Sequence, residues 1–582
     1  MVLMLVVIPL IAATASEAEG EDQKLAAFFK SFLDAEFAAR PMEATRLGDY
    51  RFDAELDDVS PKARAGWVKR YRDTLAELPR RVDYAKLLRS GQIDYEVLEH
   101  DLKYRLWEAD NTNAFEQDPR VYNVYLTDSV YLLFSQSTLE REKNLKNAAS
   151  RIDRLPSIIR AARASLKQPA KVLTEVALRQ NQGAIRFYES GVFELAGENP
   201  ASSLLKAPAD RAVAALKDYQ EYLEKTLLPA STGEWRLGRE KFASKIPLEL
   251  NAGKTADQVL AEAEKEFARV RDEMYVIARQ LWRKTHPGKP LPPDDEAGRR
   301  DTITQVLQVL NQEHGKAEEL LSEAKNWAEK IKAFIAARDI LRLPQPDQCK
   351  IIEMPEFQRG YSVAYLNPAP PLDPRASSYY AISPPPSQWD ARRQLSFMEE
   401  YNRYMMQILT IHEAYPGHYV QLEYSNRHPS FLRRVLSSGI FAEGWAVYTE
   451  QMMLDQGYGD GDLALRLNQL KFYLRAVANA ILDHKMHCQN WSDEQAMDLL
   501  VRQSFQAEGE AVGKVLRAKQ QSCQLSTYFV GRMAFYDLRQ KVQREMGEKF
   551  ELGRYHEAVL SHGTLPVKYL PEVVRDRLKE PR

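Results

Sequence analysis

Three cysteines in 582 residues, Cys349, Cys488 and Cys523, are too few for a disulfide framework, and at least one stays unpaired within a monomer. Core packing, not covalent cross-linking, must hold this chain. Neither sign of charge dominates, since 80 Lys and Arg face 82 Asp and Glu for a formal net charge of −2. The basic footprint of a nucleic-acid-binding surface is therefore missing, and no nucleic acid is expected as a partner. There is no Gly-x-Ser-x-Gly elbow, so a serine hydrolase of that type has nothing to rest on. Low-complexity tracts and internal repeats are also missing. Beyond the first dozen residues no run of 18 apolar residues occurs, so no membrane span is expected in the mature protein.

What is present begins with an apolar run from Val2 to Ala12, followed by Ala13-Thr14-Ala15 and an acidic stretch from Glu17 to Asp22. Too short to span a bilayer, it reads as a signal peptide over residues 1–15, with the terminal amine alone as its positive end. The expected location is outside the cytoplasm, periplasmic or extracellular. No cysteine of the lipoprotein kind lies near the cleavage point. The competing reading is a buried N-terminal helix.

With 44% hydrophobic and 28% charged residues the composition is that of a globular protein. Helical periodicity runs through Leu25 to Ala39, Ser137 to Ala164, Ala256 to Trp282 and Ile303 to Arg338, which predicts one large helical unit over residues 16–582. Thr285 to Asp295, with Pro287-Gly288 and Pro290, is a loop. Ten of the 30 prolines fall between Pro344 and Pro386, among short β-type runs at Lys350 to Met354, Tyr361 to Tyr365 and Tyr379 to Ile382. A small β-containing insertion over about residues 344–390 is expected there, ahead of a core over about 391–582. In that core Phe397, Tyr401, Tyr404, Met405, Ile408 and His412 recur at spacings of three and four, a single buried stripe that ends on a histidine.

His412-Glu413-Ala414-Tyr415-Pro416-Gly417-His418 follows at once, and Glu443 comes 25 residues after His418. Two imidazoles and a carboxylate are the donor set of a three-ligand catalytic zinc site, with Glu413 beside the first ligand as general base. Histidines four apart lie about 40° apart around a helix, but six apart lie about 120° off, so a regular helix fails here. Pro416 removes a donor and collides with the carbonyl of His412, so the helix must open; a two-residue bulge is expected to bring His418 back beside His412. The competing reading is a helix end carrying two unrelated histidines. Glu450, seven residues after Glu443 on the same face, is placed either to orient a ligand histidine or in a solvated salt bridge.

These segments resemble the bacterial domain-of-unknown-function 885 family, in which HEAxPGH precedes EGWAxYxE; here they stand as HEAYPGH and EGWAVYTE. The resemblance extends over Tyr122 to Ser135, Leu237 to Phe242, and Tyr555 to Leu560 with Gly563 and Pro566. It implies a mainly α, two-lobed helical fold similar to the carboxypeptidase Taq and neurolysin-like zinc metallopeptidases, with a small sheet beside the active-site helix. It also implies His412, His418 and Glu443 as ligands of one Zn2+ ion and Glu413 as base. Tyr528, in a Tyr-x-x-Gly element, and His556 become candidates for steadying an oxyanion, or in the case of His556 for binding a peptide carboxylate. Asp483 and His487 match a family pair four residues apart, although Lys485-Met486 replaces the usual Gly-Leu and leaves their role open. A second metal site at His484, His487 and Cys488 lacks a fourth ligand.

The expected activity is a zinc-dependent hydrolase acting on short peptides. The alternatives are hydrolysis of non-peptide amides or esters by the same machinery, and an exported peptide-binding protein without catalysis.

Overall fold

The computed structural model describes residues 8–354, 364–387 and 389–580, with the side chains of residues 8–18 excepted. All of the expected signal peptide, residues 1–15, therefore lies outside the described side chains; from Ile8 the backbone is helical to Ala39. Helices dominate the rest, and one three-stranded sheet joins them, so the fold class is mainly α. No helix among the described residues is long and apolar enough to cross a membrane.

Where periodicity suggested one helical unit over residues 16–582, the chain gathers into two. The first holds the residues up to Trp235 with Pro370–Ala376 and His428–Leu436; the second holds Arg236–Ala369, Ser377–Arg427 and the chain from Ser437 onward. Helical patterning runs through both alike, so nothing local marks the change at Trp235. The expected core over residues 391–582 falls in the second unit except for His428–Leu436.

The first unit is helical, with Phe29, Leu98, Leu102, Leu126 and Tyr219 buried in its core. It also buries charge. Glu36 accepts hydrogen bonds from Tyr71 Oη at 2.7 Å and Arg70 Nη2 at 2.6 Å, and lies 3.3 Å from Arg40 and 3.7 Å from Arg105. Arg105 also reaches Asp101 at 2.7 Å and Arg40 reaches Asp57 at 3.9 Å, so three guanidiniums meet three carboxylates.

The second unit is organised around the helix Leu463–Cys488, whose side chains are buried on nearly every face, as a core helix requires. Against it packs Ala256–Thr285, opened by a Thr255–Gln258 capping box and closed before the expected loop. Two expected helices are divided here, as the Ser137 to Ala164 pattern is in the first unit, where it spans Arg141–Ile152 and Leu155–Ser165. The Ile303 to Arg338 pattern spans Glu296–Asn311 and Leu320–Ala337, and the stripe ending at His412 spans Ala391–Glu400 and Arg403–Glu413. In the second case Asn402 caps the new helix, its Oδ1 accepting from the N–H groups of Tyr404 and Met405 at 3.0 and 3.1 Å. A hydrophobic stripe continues across such a cap, which is why periodicity alone reads through it.

The proline-rich segment contains the expected sheet: β1 (Cys349–Glu353), β2 (Ala364–Asn367) and β3 (Ser378–Ile382). Their order is β1-β3-β2, with β1 parallel and β2 antiparallel to β3. The expected run from Tyr361 falls outside the described residues as far as Val363, and β2 starts at Ala364.

Candidate metal centre

The first ligand candidate is placed by the helix Arg403–Glu413. Its last turn ends on His412 and Glu413, and a second helix, His418–Asn426, begins on the next histidine. The helix is therefore not bulged, as the spacing suggested, but interrupted: Ala414 to Gly417 form a turn between two helices. Gly417 is required at this turn, because a Cβ there would stand 1.9 Å from the carbonyl oxygen of His412 and 2.3 Å from that of Ile411. Trp445 Nε1 donates to the Pro416 carbonyl at 2.8 Å and ties the turn to the helix Gly439–Asp455, which carries Glu443.

That third helix is drawn close by a second pair of glycines. A Cβ on Gly444 would meet the backbone of Gly531 at 2.4 Å, so the Glu443 helix and the helix Thr527–Met546 touch backbone to backbone, which no larger residue permits.

Together these elements bring His412, His418 and Glu443 into one group, each offering a possible ligand atom within 4.8 Å of the others, close enough to hold a metal ion. Glu443 Oε2 lies 3.5 Å from His418 Nε2 and 3.9 Å from His412 Nε2. Adjacent ligands on a tetrahedral zinc with bonds of about 2.0–2.1 Å stand roughly 3.3 Å apart, so the spacing fits such an ion. The donor set, two imidazoles and one carboxylate, fits as well.

Burial shapes the charge of each group. It drives His412 down to about 3, aided by His418, and so keeps this imidazole neutral, as a ligand must be. For His418 burial acts in the same direction, but the carboxylates of Glu443 and Glu413 outweigh it and its pKa is raised. Glu443 is held down at about 2 because the histidines and Arg517 overcome the cost of burial. Burial, with the Glu443 charge adding to it, pushes Glu413 up to about 7, offset in part by His418 and by the Leu366 N–H that its Oε2 accepts at 3.0 Å.

Behind the ligands, His412 Nδ1 meets Glu450 Oε1 at 2.7 Å, and Glu450 is fully buried. With Nε2 turned to the cluster, the shared proton lies between Nδ1 and Glu450, which sets the tautomer and the ring plane.

Tyr528 stands at the edge of this group. Its hydroxyl oxygen accepts from Arg517 Nη2 at 3.1 Å, and burial together with the Glu443 charge pushes the phenol up to about 12, so it keeps its proton. His556 is placed differently: it is fully buried, its Nδ1 donating to the Ile340 carbonyl at 2.8 Å and its Nε2 bonded to Tyr448 Oη at 2.8 Å. With both nitrogens used, it buttresses Trp445 by ring contact at 5.4 Å and is not part of the ligand group.

Asp483 and His487 hold the approach to Tyr528. Asp483 accepts from the Cys523 N–H and Ser526 Oγ, each at 3.0 Å; His487 Nε2 donates to the carbonyls of Ala518 at 2.9 Å and Gln521 at 3.0 Å. They fix the turn between the helix Glu508–Gln520 and Tyr528. Sequence reasoning missed Arg475, Lys514 and Arg517, whose spacing on ordinary helices reads as a solvated face. Gly444 stands inside EGWAVYTE, but nothing in that segment tells that its helix meets another at Gly531.

Comparison with known proteins bears on the fold. No curated protein matches the chain. A solved structure from Shewanella oneidensis, a provisionally designated lipoprotein of unknown function, is 29% identical with a TM-score of 0.80, over 95% of this chain and 99% of that one. A second, a provisionally designated lipoprotein from Colwellia psychrerythraea, is 19% identical with a TM-score of 0.78, over 96% and 99% of the two chains, and is alike in fold. The family model described as bacterial protein of unknown function, DUF885, matches residues 41–574, and to that family this chain belongs.

Proposed function

We propose that this protein is an exported, zinc-dependent hydrolase that cleaves peptide bonds of short peptides, with Glu413 as general base. The observation that supports this reading most is the convergence of His412, His418 and Glu443, with a carboxyl group of intermediate acidity next to them that is not one of the three. A closed structural site has no use for such a base. When bound, zinc supplies Lewis acidity that makes a water acidic enough to attack at neutral pH.

The residues divide the remaining work. Glu413 has one carboxylate oxygen fixed by Leu366, and the other is left to take a proton from the attacking water. As water oxygen bonds to the carbonyl carbon and the carbon–nitrogen bond breaks, that proton passes to the leaving nitrogen, giving a carboxylic acid and an amine, which become carboxylate and ammonium when the acid's proton moves to the amine. Tyr528, which retains its proton, donates to the developing oxyanion, with Arg517 behind it. Glu450 holds His412 in register. The Leu366 N–H points away from β3 toward Glu413, so the edge of β2 lies beside the base, where it would hold an extended backbone by strand pairing; this favours a peptide over a simple ester. Export is supported by the apolar N-terminal run and by the lipoprotein designation of the two solved relatives.

The test is mass spectrometry of a mixed peptide panel incubated with the protein, with and without a zinc chelator, beside Glu413→Gln. Chelator-sensitive cleavage that is lost in Glu413→Gln, with zinc content kept, is expected. No cleavage by metal-loaded protein would overturn the peptidase reading.

A further inference from the structure

The second unit contains a cavity of about 330 Å³ bounded in part by Trp389, Phe397, Tyr401, Arg475, Lys514 and Arg517. Its charges do not balance within the chain. Arg475 is taken by Glu510 at 3.2 Å, Glu510 also accepts from Tyr401 Oη at 2.6 Å, and Glu400 is taken by Lys471 at 2.8 Å. Two cations remain. Arg517 donates to neutral oxygens, those of Gln524 at 2.8 Å and Tyr528 at 3.1 Å. Lys514 is only 7% exposed and, among the described residues, has neither an ion-pair nor a hydrogen-bond partner. Burial, reinforced by Arg475 and Arg517 and only partly opposed by Glu510 and Glu443, lowers its pKa well below the usual lysine value. An unpaired buried ammonium is costly, and the cost is met when an anion arrives from outside.

The cavity adjoins the ligand cluster. Arg517 bridges the two through Tyr528, and its charge helps to hold Glu443 low. On the other side Arg475 lies 5.5 Å over the ring of Phe472, whose edge meets the ring of His412 at 5.9 Å. The size is that of a small-molecule site, not of a groove for a long chain.

We propose that Lys514 and Arg517 receive the free carboxylate at the carboxyl end of a short peptide, while the aromatic wall of Trp389, Phe397 and Tyr401 takes the side chain of the last residue. The carboxylate site stands on the charge arrangement alone. That the peptide is then trimmed from this end rests on the hydrolase reading above.

Calorimetry on Glu413→Gln protein, as purified and with one equivalent of zinc, separates the two claims. The probes are N-acetyl-Ala-Phe, its C-terminal amide, and N-acetyl-Glu-Phe-amide, which carries only a side-chain carboxylate. The free acid is expected to bind about tenfold or more tightly than either amide, the usual scale for one charged hydrogen bond. Lys514→Met, checked for native circular dichroism, is expected to erase that preference while leaving binding of the amides unchanged; Arg517→Gln, checked in the same way, is expected to erase the preference too. Equal binding of acid and amide, or tightest binding of the Glu peptide, overturns the assignment to the carboxyl end. A retained preference in a protein with intact Glu413 that cleaves no peptide supports the carboxylate site and rejects the hydrolase reading; equal binding together with cleavage of amidated peptides does the reverse.

Discussion

Each unit of this protein buries charge, and the two do it differently. Around Glu36 in the first unit every guanidinium finds a carboxylate and the Glu36 oxygens are saturated. In the second unit Lys514 and Arg517 form no ion pair among the described residues, three candidate ligand atoms face one another at 3.5 Å and more, and Glu413 is held at about 7. A buried cluster whose charges pair within the chain serves the fold, even where, as between Arg40 Nε and Asp57 Oδ2 at 3.9 Å, the pair makes no hydrogen bond. An unbalanced one is a place prepared for something the chain does not contain.

Substitutions can break or sharpen that contrast. The largest effect is expected from Glu413→Gln, which should lower turnover of a cleaved peptide by about 10²–10⁴-fold, the span of general acid–base catalysis, with zinc content by atomic absorption unchanged. In the first unit, Glu36→Ala should leave Arg40, Arg70 and Arg105 facing one another and cost about 3–5 kcal/mol in denaturant unfolding, with zinc content intact. A silent Glu36→Ala would show that the paired cluster is not structural after all. Smaller is Glu450→Ala, where loss of the orienting bond to His412 should weaken zinc affinity by about 10–100-fold in chelator competition. Unchanged affinity would mean that the His412 helix aims the ring unaided.

The smallest effect has the opposite sign. Lys514→Met is expected to stabilise the protein by roughly 1–3 kcal/mol, since it removes a buried group with no partner. Its pH dependence follows from the lowered pKa, which burial causes first and Arg475 and Arg517 reinforce. The folded protein gives up this proton at a lower pH than the unfolded chain, so the cost of Lys514 is full below its folded pKa and fades as pH rises toward 10.5. The gain from Lys514→Met should shrink over the same range; a gain that grows with pH would refute a buried ammonium.

Much of the site was legible because its chemistry lies in short segments. His412, Glu413, His418 and Glu443 are named by residue type and spacing, and Pro416-Gly417 shows that the helix cannot run through. The form of the interruption was not legible, since a bulge and a break both satisfy a proline; the contact of Gly417 with the His412 carbonyl decided it. His556 was a reasonable candidate by motif, yet its two nitrogens are spent on Ile340 and Tyr448, partners 216 and 108 residues away.

By itself the sequence determined the helical class, the small sheet in the proline-rich stretch and which side chains are candidate donors, because each depends on residue type and near-neighbour period. Only the tertiary structure decided that the chain forms two units, that Gly444 and Gly531 let two helices meet, and that Lys514 stands buried without an ion pair among the described residues. Those are contacts between residues far apart in the chain, and a lysine on a helix looks the same in sequence whether water or a closed wall surrounds it.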